Sequence, residues 1–175
     1  MTTKVILKNV RFSYANVFEP KAFGDNEPKY SVSVLIPKDD AESLEKIKSA
    51  VGAEVQDFFR GKKPAGFHGF LRDGDVDRPD DPVYAGHMFF NASSKRKPIV
   101  LNEKKQEVND ENEFYSGCYG AVSVNVFGYS YNKIRHGVAC GLNGLMKTRD
   151  GERLGGSASG VSDFSDIDID GSEDF

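Results

Sequence analysis

A chain of 175 residues with 38% hydrophobic content suits one domain with its own core. No apolar run approaches membrane-spanning length, and the N-terminus carries no apolar leader segment. The net charge of −4 is unevenly placed. Six of the 27 acidic residues and none of the 23 basic ones lie in 161–175, leaving 23 cations against 21 carboxylates elsewhere. That near balance excludes a global polyanion-attracting field and leaves only local clusters.

Residues 4–18 read as a first strand. Val10, Phe12 and Tyr14 alternate with Asn9, Arg11 and Ser13, and Val5-Ile6-Leu7 breaks the phase as at a bulge. A polar loop, Glu19 to Pro28, leads to Tyr30–Ile36, where Tyr30, Val32, Val34 and Ile36 share one face and Ser31 and Ser33 the other. Leu44, Ile47, Val51, Val55 and Phe58 recur at spacings of three and four and predict an amphipathic helix over about 40–60. The basic run Arg60, Lys62, Lys63 follows it, with Gly61 where a helix C-terminus favours glycine.

Residues 65–86 are rich in Gly and Pro and read as loop. Asp73, Asp75 and Asp77 imitate the opening of a calcium loop, but Arg78 stands in place of the required Gly and Tyr84 in place of the bidentate Glu, so no metal site is expected. His87–Ser93 is a strand, followed by the basic loop Lys95-Arg96-Lys97, a short apolar piece at Ile99–Leu101 and a polar loop over 102–113. A long strand, Tyr119–Tyr131, puts Val122, Val124 and Val126 on one face and Phe127, Tyr129 and Tyr131 on the other. Asn132-Lys133 is a turn, and Ile134–Met146 returns with glycines at 137, 141 and 144, as where another backbone passes close. Five or more short strands, one helix and Gly-rich bends predict a mainly β fold, a partly open five-stranded OB-type barrel with long loops.

Residues 155–175 form an acidic tail without Lys or Arg, expected to be disordered, and the domain boundary falls at 153/154. Its Asp166, Asp168, Asp170, Glu173, Asp174 and the final Phe175 make a candidate partner-binding segment. The carboxylates imitate phosphates, and the ring with its terminal carboxylate makes an anchor.

Catalytic chemistry finds little support. His68, His87 and His136 lack neighbouring ligands at metal spacing, and no nucleophile elbow, phosphate loop or dinucleotide fingerprint occurs. Neither cofactor nor catalytic residue is expected. Cys118 and Cys140, without CxxC spacing, fit reduced buried thiols of a cytoplasmic protein.

Binding single strands without sequence preference needs aromatic platforms for bases and cations for phosphates. The candidate DNA-binding residues are Phe127, Tyr129, Tyr131, Lys133 and Arg135, extended by Arg11, Phe12 and Tyr14 and by Lys95, Arg96 and Lys97. For each ring the competing role is core packing, and for each cation solvated surface.

The chain resembles the phage-encoded single-stranded DNA-binding proteins. Lys8–Tyr14, Tyr30–Pro37, Phe89–Ala92 with the Lys95–Pro98 loop, Gly117–Asn125 and the acidic Phe-terminated tail carry the resemblance. It implies an OB-fold that coats single-stranded DNA during phage replication or recombination in the cytoplasm of an infected or lysogenic host. It also implies a tail that recruits replication or recombination proteins. A homodimer is compatible with it. An adapter that contacts no DNA and a metal-dependent DNA-processing enzyme are the alternatives.

Overall fold

The computed structural model describes residues 3–22, 24–25, 27–131 and 135–154. Candidate DNA-binding Lys133 and the candidate partner-binding tail residues Asp166, Asp168, Asp170, Glu173, Asp174 and Phe175 therefore lie outside the described residues.

Five strands make the barrel: β1 (Thr3–Lys21), β2 (Lys29–Pro37), β5 (His87–Ser94), β7 (Tyr119–Tyr131) and β8 (Arg135–Arg149). β1 pairs antiparallel with β2 through its second half and with β7 through its first. β2 pairs with β5 and β7 with β8. A parallel bridge, Ser93 to Gly141, joins β5 to β8, so the barrel expected to be partly open is closed. This strand order is that of an OB-type barrel.

Helix α1 (Ala41–Phe58) follows β2. The Asp40 side chain accepts a hydrogen bond from the Ser43 amide at 3.2 Å and so fixes its start. Ile47 and Val55 are buried and Leu44 and Val51 half-buried against the barrel, but Phe58, last of the predicted stripe, is 45% exposed. Inside, the even-numbered valines of β7 meet Leu7, Val10, Phe12, Val32, Val34, Ile36 and Phe90.

The expected loop over 65–86 carries short elements: β3 (Phe67–His68), β4 (Arg72–Asp73) and α2 (Gly74–Asp77). β3 pairs parallel with β8 at His136–Gly137, and β6 (Ile99–Leu101) does so at Gly144–Met146. These are the close backbones that the glycines of β8 predict. A Cβ on Gly137 would meet the His68 carbonyl oxygen at 2.2 Å, and one on Gly144 the Ile99 carbonyl oxygen at 3.1 Å.

Candidate nucleic-acid interface

Alternation along β2 and β5 sends Val32, Val34, Phe90 and Ala92 into the core. Ser31, Ser33, Asn91 and Ser93 therefore make the floor of an outer groove. Two adjoining concavities of about 990 and 440 Å³ lie over this floor and share Lys29, Ser93, Lys95, Tyr131 and Arg135. OB-folds bind oligonucleotides on this face, between the loop joining the first two strands and the loop joining the last two.

The hairpin of β7 and β8 forms one wall. Tyr131 pairs with Arg135, Tyr129 with Gly137 and Phe127 with Ala139, so three rings and a guanidinium stand on one face. The rings of Tyr129 and Tyr131 are 5.4 Å apart and 32° from parallel, and Tyr131 is 59% exposed. No base fits between rings at that spacing, and the outer face of Tyr131 is left open to the groove.

The other wall comes from β1 and the segment before β5. The pairing of β1 with β2 shifts register between Ser13 and Asn16. Tyr14 sits in the left-handed region at φ 47°, a strained backbone for a residue with a side chain. The irregularity breaks the alternation and turns Tyr14 outward, 45% exposed, into the groove. Arg78 lies 5.5 Å above its ring, and also 5.1 Å from Tyr84 and 5.7 Å from Phe89. Tyr84 is buried, donates to Ser33 Oγ at 3.2 Å and closes this end of the floor.

The segment bearing Arg78 is held by an ion cluster. Lys38 Nζ lies 2.7 Å from both Asp73 and Asp75. Asp75 also accepts from the Gly86 amide at 3.1 Å. The Lys38 ammonium holds both carboxyls below their ordinary range, and they in turn raise Lys38. Two of the three aspartates that imitate a calcium loop thus hold an ammonium, and the third, Asp77, pairs with Arg72 at 3.7 Å.

Of the predicted DNA-contacting residues, the structure gathers Tyr14, Lys95, Phe127, Tyr129, Tyr131 and Arg135 on this groove. Phe12 is a correction. It is fully buried, 5.2 Å from the Phe114 ring, because the phase of Val10 and Phe12 points inward until the irregularity at Tyr14. Arg11 is another. Its guanidinium donates to the carbonyls of Gly117 (3.0 Å) and Glu152 (2.9 Å) beside the Tyr119 ring, which clamps the segment leaving β8. Arg96 and Lys97 are exposed but do not line the groove, and Lys97 donates to Asn109 at 3.4 Å.

Lys21, Lys29 and Arg78 also line the groove, three cations not anticipated from the sequence. The Ser31/Ser33 alternation could have pointed to the floor, and Lys29 to its edge; nothing local marks Arg78. Glu27 is the one carboxylate lining the groove among the described residues, and it pairs with Lys95 at 3.2 Å. Both cysteines are buried, which pushes their thiols up.

The family model described as "Enterobacter phage Enc34, ssDNA-binding protein" matches residues 3–175. The chain belongs to this family. Putative protein p50 of Acyrthosiphon pisum secondary endosymbiont phage 1 is 30% identical over 178 residues, covering 95% of each chain. The single-stranded DNA-binding protein of bacteriophage Enc34, as a C-terminal truncation, aligns with TM-score 0.75 at 30% identity over 86% of this chain and 88% of its own. The same Enc34 protein in complex with ssDNA aligns with TM-score 0.72 at 31% identity, over 86% and 89%. The gp2.5 protein of bacteriophage T7, at 13% identity and TM-score 0.52 over the whole of both chains, shares the fold.

Proposed function

We propose that this protein binds single-stranded DNA in the groove over β2 and β5 and coats it with little sequence preference during phage replication or recombination. The arrangement of Tyr14, Tyr129 and Tyr131 around a polar floor, with Lys29, Arg78, Lys95 and Arg135 at its edges, carries the reading. Rings accept any base by stacking, and cations follow the backbone, so this chemistry is sequence-tolerant. The Enc34 complex with ssDNA supports it from a relative that shares the fold. The role is non-catalytic and belongs to the cytoplasm of the bacterial host.

The acidic segment 155–175 is proposed to compete for the groove as a phosphate mimic and, once DNA displaces it, to recruit replication or recombination proteins. Its point of departure supports this. The Leu154 amide donates to the Ser116 carbonyl at 3.1 Å, and Ser116 Oγ accepts from the Ala15 amide at 2.9 Å. Leu154, the last described residue, is thus linked through Ser116 to Ala15, the chain neighbour of the groove residue Tyr14. A coil of about 21 residues spans roughly 25 Å, enough to enter this groove or that of a second copy.

Titrating oligothymidine with the full chain and with a truncation after Leu154 tests both parts. Binding by both forms, tighter for the truncation, is expected. No binding at about 50 mM salt, where phosphate contacts are strongest, overturns the DNA reading. Equal affinities overturn the competition and leave the tail only its docking role.

A further inference from the structure

We infer that the DNA path continues beyond the hairpin onto the segment linking α1 to β3, where Lys62, Lys63 and their neighbouring rings form a second contact station for single-stranded DNA. This rests on the reading of the groove given above and extends it.

The continuity is structural. Tyr129, on the groove face, pairs with Gly137, and Gly137 pairs on its other side with His68 of β3. The Tyr129 hydroxyl and the His68 carbonyl both lie within 3 Å of the point that a Gly137 Cβ would occupy, at 2.9 and 2.2 Å. Glycine here lets β3 close onto the hairpin, so the last groove ring abuts the neighbouring strand with no gap. Exposed His68 is the first residue beyond it.

The chemistry of that segment matches the groove. From Phe58 to Arg72 the chain contains Arg60, Lys62, Lys63 and Arg72 with four phenylalanines, and no carboxylate. Phe58, Phe59 and Phe67 form a chain of edge-on rings, with centroids 4.8 and 5.6 Å apart. Lys63 Nζ stands 5.1 Å above Phe67, and Phe58 leaves nearly half its surface to solvent. Arg60 and Gly61, at φ 56° and 85°, turn the chain sharply out of α1 and carry Lys62 and Lys63 clear of the helix, both exposed. Phe58 seats on Gly128 and Phe67 pairs with His136, on the face of the hairpin opposite Tyr129, so a strand leaving the groove reaches them by turning over the edge at β3; rings together with cations are what single-stranded nucleic acid uses.

The station is off the groove floor, so only a strand long enough to leave the groove reaches it. The test compares the full chain with Lys62→Gln/Lys63→Gln on oligothymidines of about 8 and about 20 nucleotides, one within and one beyond the roughly 4–16 nucleotides an OB-fold covers. The expected result is roughly tenfold weaker binding of the long oligomer at about 0.15 M salt, a salt slope flatter by about 1.4, and an unchanged short oligomer. A variant that binds both lengths like the wild type overturns the extension while leaving the groove intact. Equal losses at both lengths overturn it too, since the lysines would then act on the groove itself. A wild type that binds neither length removes the groove reading and the extension together.

Discussion

Replacing Tyr131 and Phe12 in turn separates groove from core. Both are aromatic residues flagged by the same alternation, but Tyr131 is 59% exposed and Phe12 is fully buried. A fully buried Tyr removes roughly 150–250 Å² from water, so the covered fraction of Tyr131 amounts to about 80 Å². At about 25 cal/mol per Å², Tyr131→Ala costs at most about 2 kcal/mol of stability. If a base stacks on its open face, the same change costs about 1–3 kcal/mol of binding, a loss of roughly five- to 150-fold. Phe12→Ala inverts the pattern. It leaves a cavity against Phe114 and costs about 3–5 kcal/mol of stability, while the folded fraction keeps its affinity. Urea unfolding gives the first quantity, and fluorescence anisotropy with labelled oligothymidine under folding conditions the second. A Tyr131→Ala protein that binds within twofold of wild type would sink the stacking assignment. Weak binding by fully folded Phe12→Ala would return that ring to the interface.

Gly137→Ala forces a Cβ to within 2.2 Å of the His68 carbonyl oxygen and 2.9 Å of the Tyr129 hydroxyl. It should cost about 1–3 kcal/mol of stability by overpacking and weaken binding through Tyr129; unaltered stability would mean that β3 is not seated on the hairpin. Glu27→Gln releases Lys95 from its 3.2 Å ion pair and should tighten oligothymidine binding by up to about fivefold, the scale of an exposed pair; weaker binding would make Glu27 a DNA contact. The Asp73 and Asp75 carboxyls are held below their ordinary value by Lys38. Depressed folded-state values contribute order that is present above about pH 4 and lost as pH falls through the folded-state values. The Gly86 amide resonance, reporting its bond to Asp75, should therefore shift in that acid window in the wild type. In Lys38→Met the transition should move up towards the ordinary carboxylate value, and an unmoved one would detach Lys38 from the cluster.

The barrel was legible because its strands keep a period of two. Val122, Val124 and Val126 face inward and Tyr129 and Tyr131 outward, as alternation requires. The helix was legible from its stripe, and only Phe58 at its last turn departs. The site was half legible. Its hairpin wall follows from alternation, whereas its other wall depends on an irregularity. The register shift near Tyr14 has no marker in residue type, so Phe12 and Tyr14 looked equivalent and face opposite ways. Arg11 shared their run of sequence, but the carbonyls that engage it belong to residues 117 and 152. Arg78 reaches the groove from a segment that Lys38, some 40 residues earlier, ties down through Asp73 and Asp75. Long-range pairings of that kind have no local period to read.

The balance between charge and stacking in the groove follows from the residues that line it. Five described cations border it: Lys21, Lys29, Arg78, Lys95 and Arg135. If each neutralises one phosphate, the log–log salt slope for a groove-length oligothymidine is about −3.5, and raising salt from about 50 to about 200 mM costs roughly 100-fold. Three exposed or half-exposed rings, Tyr14, Tyr129 and Tyr131, contribute about 1–3 kcal/mol each, and that part is insensitive to salt. Binding should therefore weaken steeply with salt and then level off at a residual affinity that vanishes when the tyrosines are removed. Arg78 sits at the crossing of the two effects. Its guanidinium lies within 6 Å of the Tyr14, Tyr84 and Phe89 rings, and a planar guanidinium held by rings can still offer its N–H edge to a phosphate. Arg78→Lys keeps the charge and loses the stacking, so the slope should stay near its wild-type value while the residual affinity at high salt drops. A flatter slope with unchanged residual affinity would show that Arg78 serves the phosphates alone and that the Tyr14 wall holds its shape without it.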